Sequence, residues 1–136
     1  MTPDPPPEGA GPGDELVRER RGAVLVIRLN RPEARNALTQ ELLAALGAAL
    51  IEAETDPGIR AAVLTGTGDR AFCAGMDLRS FAGSGNASLD ASEATAAYYR
   101  LLAGQVAVPI VGAANATAIA GGLELLLGCD DDVAAE

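Results

Sequence analysis

The sequence predicts an α/β fold built on a mostly parallel sheet covered by helices. Three observations carry the prediction. Residues 23–29, 60–66 and 110–114 are short, largely apolar runs, the pattern of buried strands rather than of half-exposed ones. A helix-period segment lies between the first two, which is the order of a βαβ unit. Two strand ends run into glycine-containing loops, at 66–76 and 114–121, and parallel sheets bind ligands at the carboxyl ends of their strands.

Residues 1–13 are Pro/Gly-rich with almost no bulky apolar side chains, so they are expected to form a disordered tail ahead of one domain over 14–136. Strands are expected at 15–20 and 23–29, joined at Arg21 and Gly22. Pro32 stops strand pairing in the loop from Leu29 to Leu38. Its two arginines and asparagine suit either an ordinary turn or a phosphate-bearing ligand lying over backbone. Thr39 is placed to cap a helix over 40–54, with Glu41 in its first turn and Leu42, Leu46 and Leu50 on one stripe. Asp56, Pro57 and Gly58 end that helix before the strand at 60–66. The connection over 67–88 is long for a compact domain, and such loops carry function or move. Its first part, Ala71 to Leu78, has small residues where backbone must approach something closely. Its second part, from Ala82 to Ser88, is expected to be flexible. A helix over 90–104 buries Tyr98, Leu101 and Leu102. After the strand at 110–114, residues 115–120 turn the chain into a helix opened by Gly121 and Gly122. Asp131 to Glu136 are expected to fray as an acidic terminus, because burying two unpaired aspartates in a strand is prohibitive. That leaves an unpaired sheet edge and an exposed core face.

Composition narrows the chemistry. The chain has 136 residues, 49% of them apolar, enough for a single core. No apolar run reaches the length of a membrane span and no signal peptide is evident, so a soluble cytoplasmic protein is expected. Net charge is −9, and all ten basic residues are arginines, which excludes the electrostatic footprint of a nucleic-acid or anionic-membrane binder. The absence of histidine excludes a Ser-His-Asp or Cys-His triad within this chain, and the absence of lysine excludes a Schiff base or Walker-type loop. Cys73 and Cys129, without histidine, do not suggest a zinc site and are expected to be buried reduced thiols. Carboxylates, hydroxyls and backbone amides remain.

Glu124 stands out against that list, a lone carboxylate among Leu123, Leu125, Leu126 and Leu127. In a buried run it would be partly desolvated, which raises a carboxyl pKa toward the range useful for proton transfer. Amides from two glycine-containing loops, converging on one carbonyl oxygen, would form an oxyanion hole. Proton chemistry beside a carbonyl, with its enolate held by amides, needs no metal or redox cofactor. The alternatives are a glycine pair that only allows close packing, and a glutamate turned to solvent.

Three motifs then carry a resemblance: Asn30, Arg31 and Pro32 with Asn36, Ala37 and Leu38; Ala71 through Leu78; and Pro109 through Asn115 followed by Gly121, Gly122, Leu123, Glu124, Leu125 and Cys129, Asp130. In order and spacing they resemble the enoyl-CoA hydratase/isomerase (crotonase) family over about residues 15–130. The resemblance implies a ββα spiral, incomplete at the C-terminus here, that binds acyl-CoA thioesters and is assembled as homo-trimers or hexamers. Coenzyme A is then part of the substrate and no separate cofactor is implied. Residue by residue, it implies that the amides of Met76 and Gly121 form the oxyanion hole and that Glu124 is a catalytic glutamate. It places Ala37, Leu38, Ala74, Asp77, Leu78 and Arg79 along the bound substrate, with Arg79 near the CoA phosphates. A second glutamate used by hydratases has no counterpart up to Glu136. Hydration of 2-enoyl-CoA is the activity implied, with another activity of the family such as isomerisation, or an inactive acyl-CoA-binding or interaction remnant, as alternatives.

Overall fold

The computed structural model describes residues 14–82 and 92–135. The expected tail over 1–13, most of the flexible stretch ending at Ser88 and the last residue lie outside the described residues.

Five strands form the main sheet in the order β1-β2-β3-β5-β7. β1 (Leu16–Arg21) and β2 (Val24–Leu29) pair antiparallel around a turn in which Gly22 adopts φ +60°. β2, β3 (Ala61–Gly66), β5 (Ile110–Ala114) and β7 (Asp131–Ala134) then pair in parallel. Leu25, Val26 and Ile27 are all buried, as a covered strand requires, whereas β3 alternates: Ala62, Leu64 and Gly66 point into the core and their neighbours are half-buried.

α1 (Gln40–Thr55) begins where Thr39 accepts a hydrogen bond from the Leu42 amide at 3.0 Å, and it buries Leu42, Leu43, Leu46 and Leu50. α3 (Glu93–Leu102) is capped by Ser92 and packs along α1. The approach is close enough that a methyl on Gly47 would run into the Ala94 carbonyl. The core is one cluster of these leucines with Ile27, Leu29, Leu64, Phe72, Leu101 and Leu125. No helix among the described residues is long and apolar enough to cross a membrane.

Three features depart from expectation. The connection after β3 contains β4 (Ala71–Cys73) and the one-turn helix α2 (Leu78–Ala82), and the turn after β5 contains β6 (Thr117–Ala118). β4 and β6 pair in parallel as a separate two-stranded sheet, which ties the two glycine-containing loops together. The acidic terminus also does not fray over its whole length. Asp131 and Asp132 enter β7, and because the strand is an exposed edge the feared burial is only partial, though desolvation and then the Asp131 charge still push the Asp132 carboxyl up. The sheet edge is therefore one strand further out than expected.

Candidate active site

The loop between β2 and α1 is folded by its own polar groups. A 3-10 turn at Pro32–Ala34 is followed by Arg35 and Asn36 at φ 55° and 56°, left-handed conformations that asparagine tolerates better than most residues. Asn36 is wholly buried: its Oδ1 accepts from the Arg31 amide at 2.8 Å, and its Nδ2 donates to the carbonyls of Thr67 and Ala71, both at 3.0 Å. Arg31 is held by Glu15 at 3.1 Å and Asp77 at 3.2 Å, and it donates to the Ala37 carbonyl at 2.7 Å. Asn36 and Arg31 are thus committed to the protein's own groups, which favours the ordinary turn over the phosphate-bearing ligand as the use of this loop. Arg35 is exposed.

From there the chain meets the loop after β4. Leu38 and Met76 form a parallel bridge in which the Leu38 amide donates to the Gly75 carbonyl and the Asp77 amide to the Leu38 carbonyl, both at 2.8 Å. This pairing uses the Gly75 carbonyl and the Asp77 amide on either side of Met76 and leaves its own amide facing away. Leu38 contributes only backbone here, because its side chain is fully buried in the core.

The second loop arrives through a strained residue. Ala120, ahead of α4 (Gly121–Gly128), adopts φ 51° and ψ −117°, a conformation costly for any side chain beyond glycine. The turn brings Gly121 against Gly75 and Met76. A methyl on Gly75 would lie 3.4 Å from the Gly121 nitrogen, and a methyl on Gly121 would lie 3.7 Å from the Met76 nitrogen. Neither amide donates a hydrogen bond among the described residues. The two glycines of α4 divide their roles. Gly122 is the packing glycine, since a methyl there would run into the Cys73 carbonyl, while Gly121 stands at the paired amides.

Beside the amides opens a cleft of about 580 Å³, lined by Ala37, Ala74, Met76, Asp77, Leu78 and Arg79 together with the Arg31 loop. Six of the sequence-predicted residues are thereby gathered along one surface. Burial pushes the Asp77 carboxyl up, but hydrogen bonds from Arg31 and the amides of Arg79 and Ser80, with the Arg31 charge, hold it below its ordinary value. Arg79 is exposed and Leu78 is 79% exposed at the rim. Burial pushes the Cys73 thiol up, away from a reactive thiolate.

Glu124 does not line this cleft. It sits in the first turn of α4 and is exposed, so the desolvation expected from its leucine neighbours is absent. Leu123 and Leu127 are themselves exposed, and only Leu125 and Leu126 face the core. One residue escaped the sequence reading as a site neighbour. Tyr98, expected only as a core side chain, is 4% exposed, and its hydroxyl is pushed up to about 12 by burial and then by the charges of Glu124, Tyr99 and Cys73. Its only signal in the sequence was a phenol on a buried helix face.

The family profile described as enoyl-CoA hydratase/isomerase matches residues 19–136. The chain is 40% identical over 127 residues to the enoyl-CoA hydratase EchA19 of Mycobacterium tuberculosis, covering 91% of this chain and 47% of that protein. It is 41% identical over 114 residues to the (E)-benzylidenesuccinyl-CoA hydratase of Thauera aromatica, covering 79% and 41%. Its fold matches the solved structure of a carnitinyl-CoA dehydratase from Mycobacterium avium with a TM-score of 0.77 at 42% identity, covering 88% of this chain and 46% of that one. The chain spans less than half the length of these relatives, and the fold it shares with them is correspondingly incomplete. Matched over most of its own length, the chain belongs to the enoyl-CoA hydratase/isomerase family.

Proposed function

We propose that this chain builds the carbonyl-binding side of an acyl-CoA site and that the reaction served is hydration of a 2-enoyl-CoA. The observation that carries the proposal is the pair of adjacent, unengaged amides at Met76 and Gly121, delivered by loops that β4 and β6 tie together. A thioester oxygen between them would accept two hydrogen bonds. When water adds at the β-carbon, the electron pair moves onto that oxygen, and the fixed amides stabilise the enolate without reorganising. One such donor is worth about 3 kcal/mol at the transition state.

Glu124, one turn along α4 from the Gly121 amide, is the general acid/base in this scheme: it takes a proton from the attacking water and returns it to the α-carbon as the enolate collapses, worth roughly 10²- to 10⁴-fold. The cleft from Ala37 to Arg79 suits the CoA portion, with Ala74 and Leu78 on its apolar parts and Arg79 at the phosphates. CoA enters as part of the substrate, no separate cofactor takes part, and a cytoplasmic homo-trimer or hexamer is the assembly in which we place the site. The hydratases among the relatives support this activity over isomerisation.

The exposure of Glu124 favours a second reading, in which the chain binds acyl-CoA without turning it over, because an exposed carboxylate is a weaker base for water than a desolvated one. Two measurements on the purified chain decide. Loss of crotonyl-CoA absorbance that is abolished in Glu124→Gln establishes hydration and overturns the binding-only reading. Calorimetric binding of crotonyl-CoA without turnover establishes the second. Neither binding nor turnover overturns both.

A further inference from the structure

Very little backbone pairing places the Met76 amide. Leu38 and Met76 form an isolated bridge outside the strands, closed by two hydrogen bonds of 2.8 Å. Backbone groups along an extended segment alternate in direction. A one-residue slip of this bridge would therefore turn the Met76 amide toward Leu38 and away from Gly121. Arg31 closes a ring around the bridge from outside. Its Nη1 donates to the Ala37 carbonyl at 2.7 Å, one residue before Leu38, and to the Asp77 carboxylate at 3.2 Å, one residue after Met76. Its Nε meets one oxygen of Glu15 at 3.1 Å, while the other accepts from the Thr39 hydroxyl at 2.6 Å. Arg31 is anchored in turn: its amide donates to Asn36 Oδ1 and its carbonyl accepts from the Asn36 amide, both at 2.8 Å. The side chains of Arg31, Asp77 and Glu15 are only 17%, 20% and 27% exposed, so these contacts are sheltered from the screening that makes surface pairs weak.

We propose that Arg31 is a positioning residue for the Met76 amide, its guanidinium locking the Leu38–Met76 bridge in the register that turns that amide toward Gly121. The purpose rests on the oxyanion reading of the two amides; the structural test does not. A guanidinium presents several donors in a rigid plane and can hold Glu15, Ala37 and Asp77 at once, whereas a lysine ammonium is a point charge on a flexible stem. Glu15 stands outside the cleft, so its loss reaches the amide only through Arg31 and Thr39. Arg31 itself borders the cleft, but its Nε and Nη1 are engaged with the protein's own groups rather than open to a ligand.

The test uses the full chain with Arg31→Lys and, should that variant not fold, Glu15→Gln. By NMR hydrogen exchange, the Leu38 and Asp77 amides that close the bridge are expected to exchange about tenfold faster in the variant, while amides paired between β2 and β3 keep their rates. By calorimetry, butyryl-CoA, a saturated thioester that hydration leaves untouched, is expected to bind about tenfold more weakly, the worth of one hydrogen bond. Free CoA, which lacks the thioester carbonyl, is expected to stay within about twofold of wild type. Equal weakening of both ligands would make Arg31 a ligand contact and overturn the proposal. So would unchanged exchange at Leu38 and Asp77, or an equal rise at the bridge and in the main sheet, which would mark a residue of general stability. A wild-type chain that binds butyryl-CoA no more tightly than CoA fails the oxyanion reading alone, and exchange at the bridge still decides the role of Arg31.

Discussion

At the residue scale, side chains that share one sequence motif do opposite jobs. Gly121 and Gly122 are adjacent, yet a methyl on Gly122 meets the Cys73 carbonyl head-on, whereas one on Gly121 finds Gly75 Cα at 3.4 Å, an ordinary contact. Gly122→Ala is therefore expected to destabilise the fold by about 1–3 kcal/mol, as overpacking against backbone does. Gly121→Ala is expected to stay within about 1 kcal/mol of wild type while weakening crotonyl-CoA binding, since the new methyl stands 3.7 Å from the Met76 amide nitrogen. Urea midpoints for both variants, with binding by calorimetry, check the pair; equal loss of stability would refute the division. Asn36 makes the same point with polar atoms. Two of its three hydrogen bonds bind the loop before α1 to the segment around β4 and the third closes the loop on Arg31, and Asn36→Ala strands their backbone partners inside the protein. A loss of about 2–4 kcal/mol in chemical denaturation is expected.

At the element scale, caps and ion pairs set how loops meet helices. Thr39 caps α1 and also donates to Glu15 at 2.6 Å, so Thr39→Ala is expected to cost about 1 kcal/mol in thermal unfolding. Asp77, which opens α2, joins that α1 loop through Arg31. Because its folded pKa lies below the ordinary 3.8, its contribution to stability is complete above that value and is lost as pH falls through the folded pKa. Asp77→Asn should flatten the acid limb of stability below about pH 4 and leave neutral pH-dependence unchanged. The elements legible in the sequence were those with enough residues to show a period: α1 with its cap, β2, β3 and α3 fall within about three residues of expectation. β4 and β6 were invisible because three- and two-residue strands have no period and exist only through each other. β7 was missed because Asp131 and Asp132 were judged as if the strand were interior. The meeting of two glycine-containing loops at Gly75, Met76 and Gly121 was legible from backbone motifs. The exposure of Glu124 was not, because burial depends on distant segments.

At the scale of the whole molecule, exposed apolar side chains and net charge oppose one another. Leu123 and Leu127 on α4 are 47% and 72% exposed, and Val133 on the edge strand β7 is 57% exposed. An edge strand with free backbone groups beside exposed leucines is a surface prone to association. Asp131 and Asp132 lie in the same strand, and the chain carries a net charge of −9, so copies approaching through this edge repel one another. The balance depends on salt. Screening shortens the reach of the repulsion to about 10 Å at 0.1 M ionic strength and about 3 Å at 1 M, while apolar attraction persists. Sedimentation velocity at fixed protein concentration is therefore expected to show association rising with added salt. Leu127→Glu, which removes the most exposed of these leucines and adds charge to the same face, should shift that onset to higher salt without lowering the unfolding midpoint, since the side chain leaves little surface to the core. A wild-type chain that stays monomeric at every salt concentration, or a Leu127→Glu chain that associates equally, would show that charge already outweighs the apolar face.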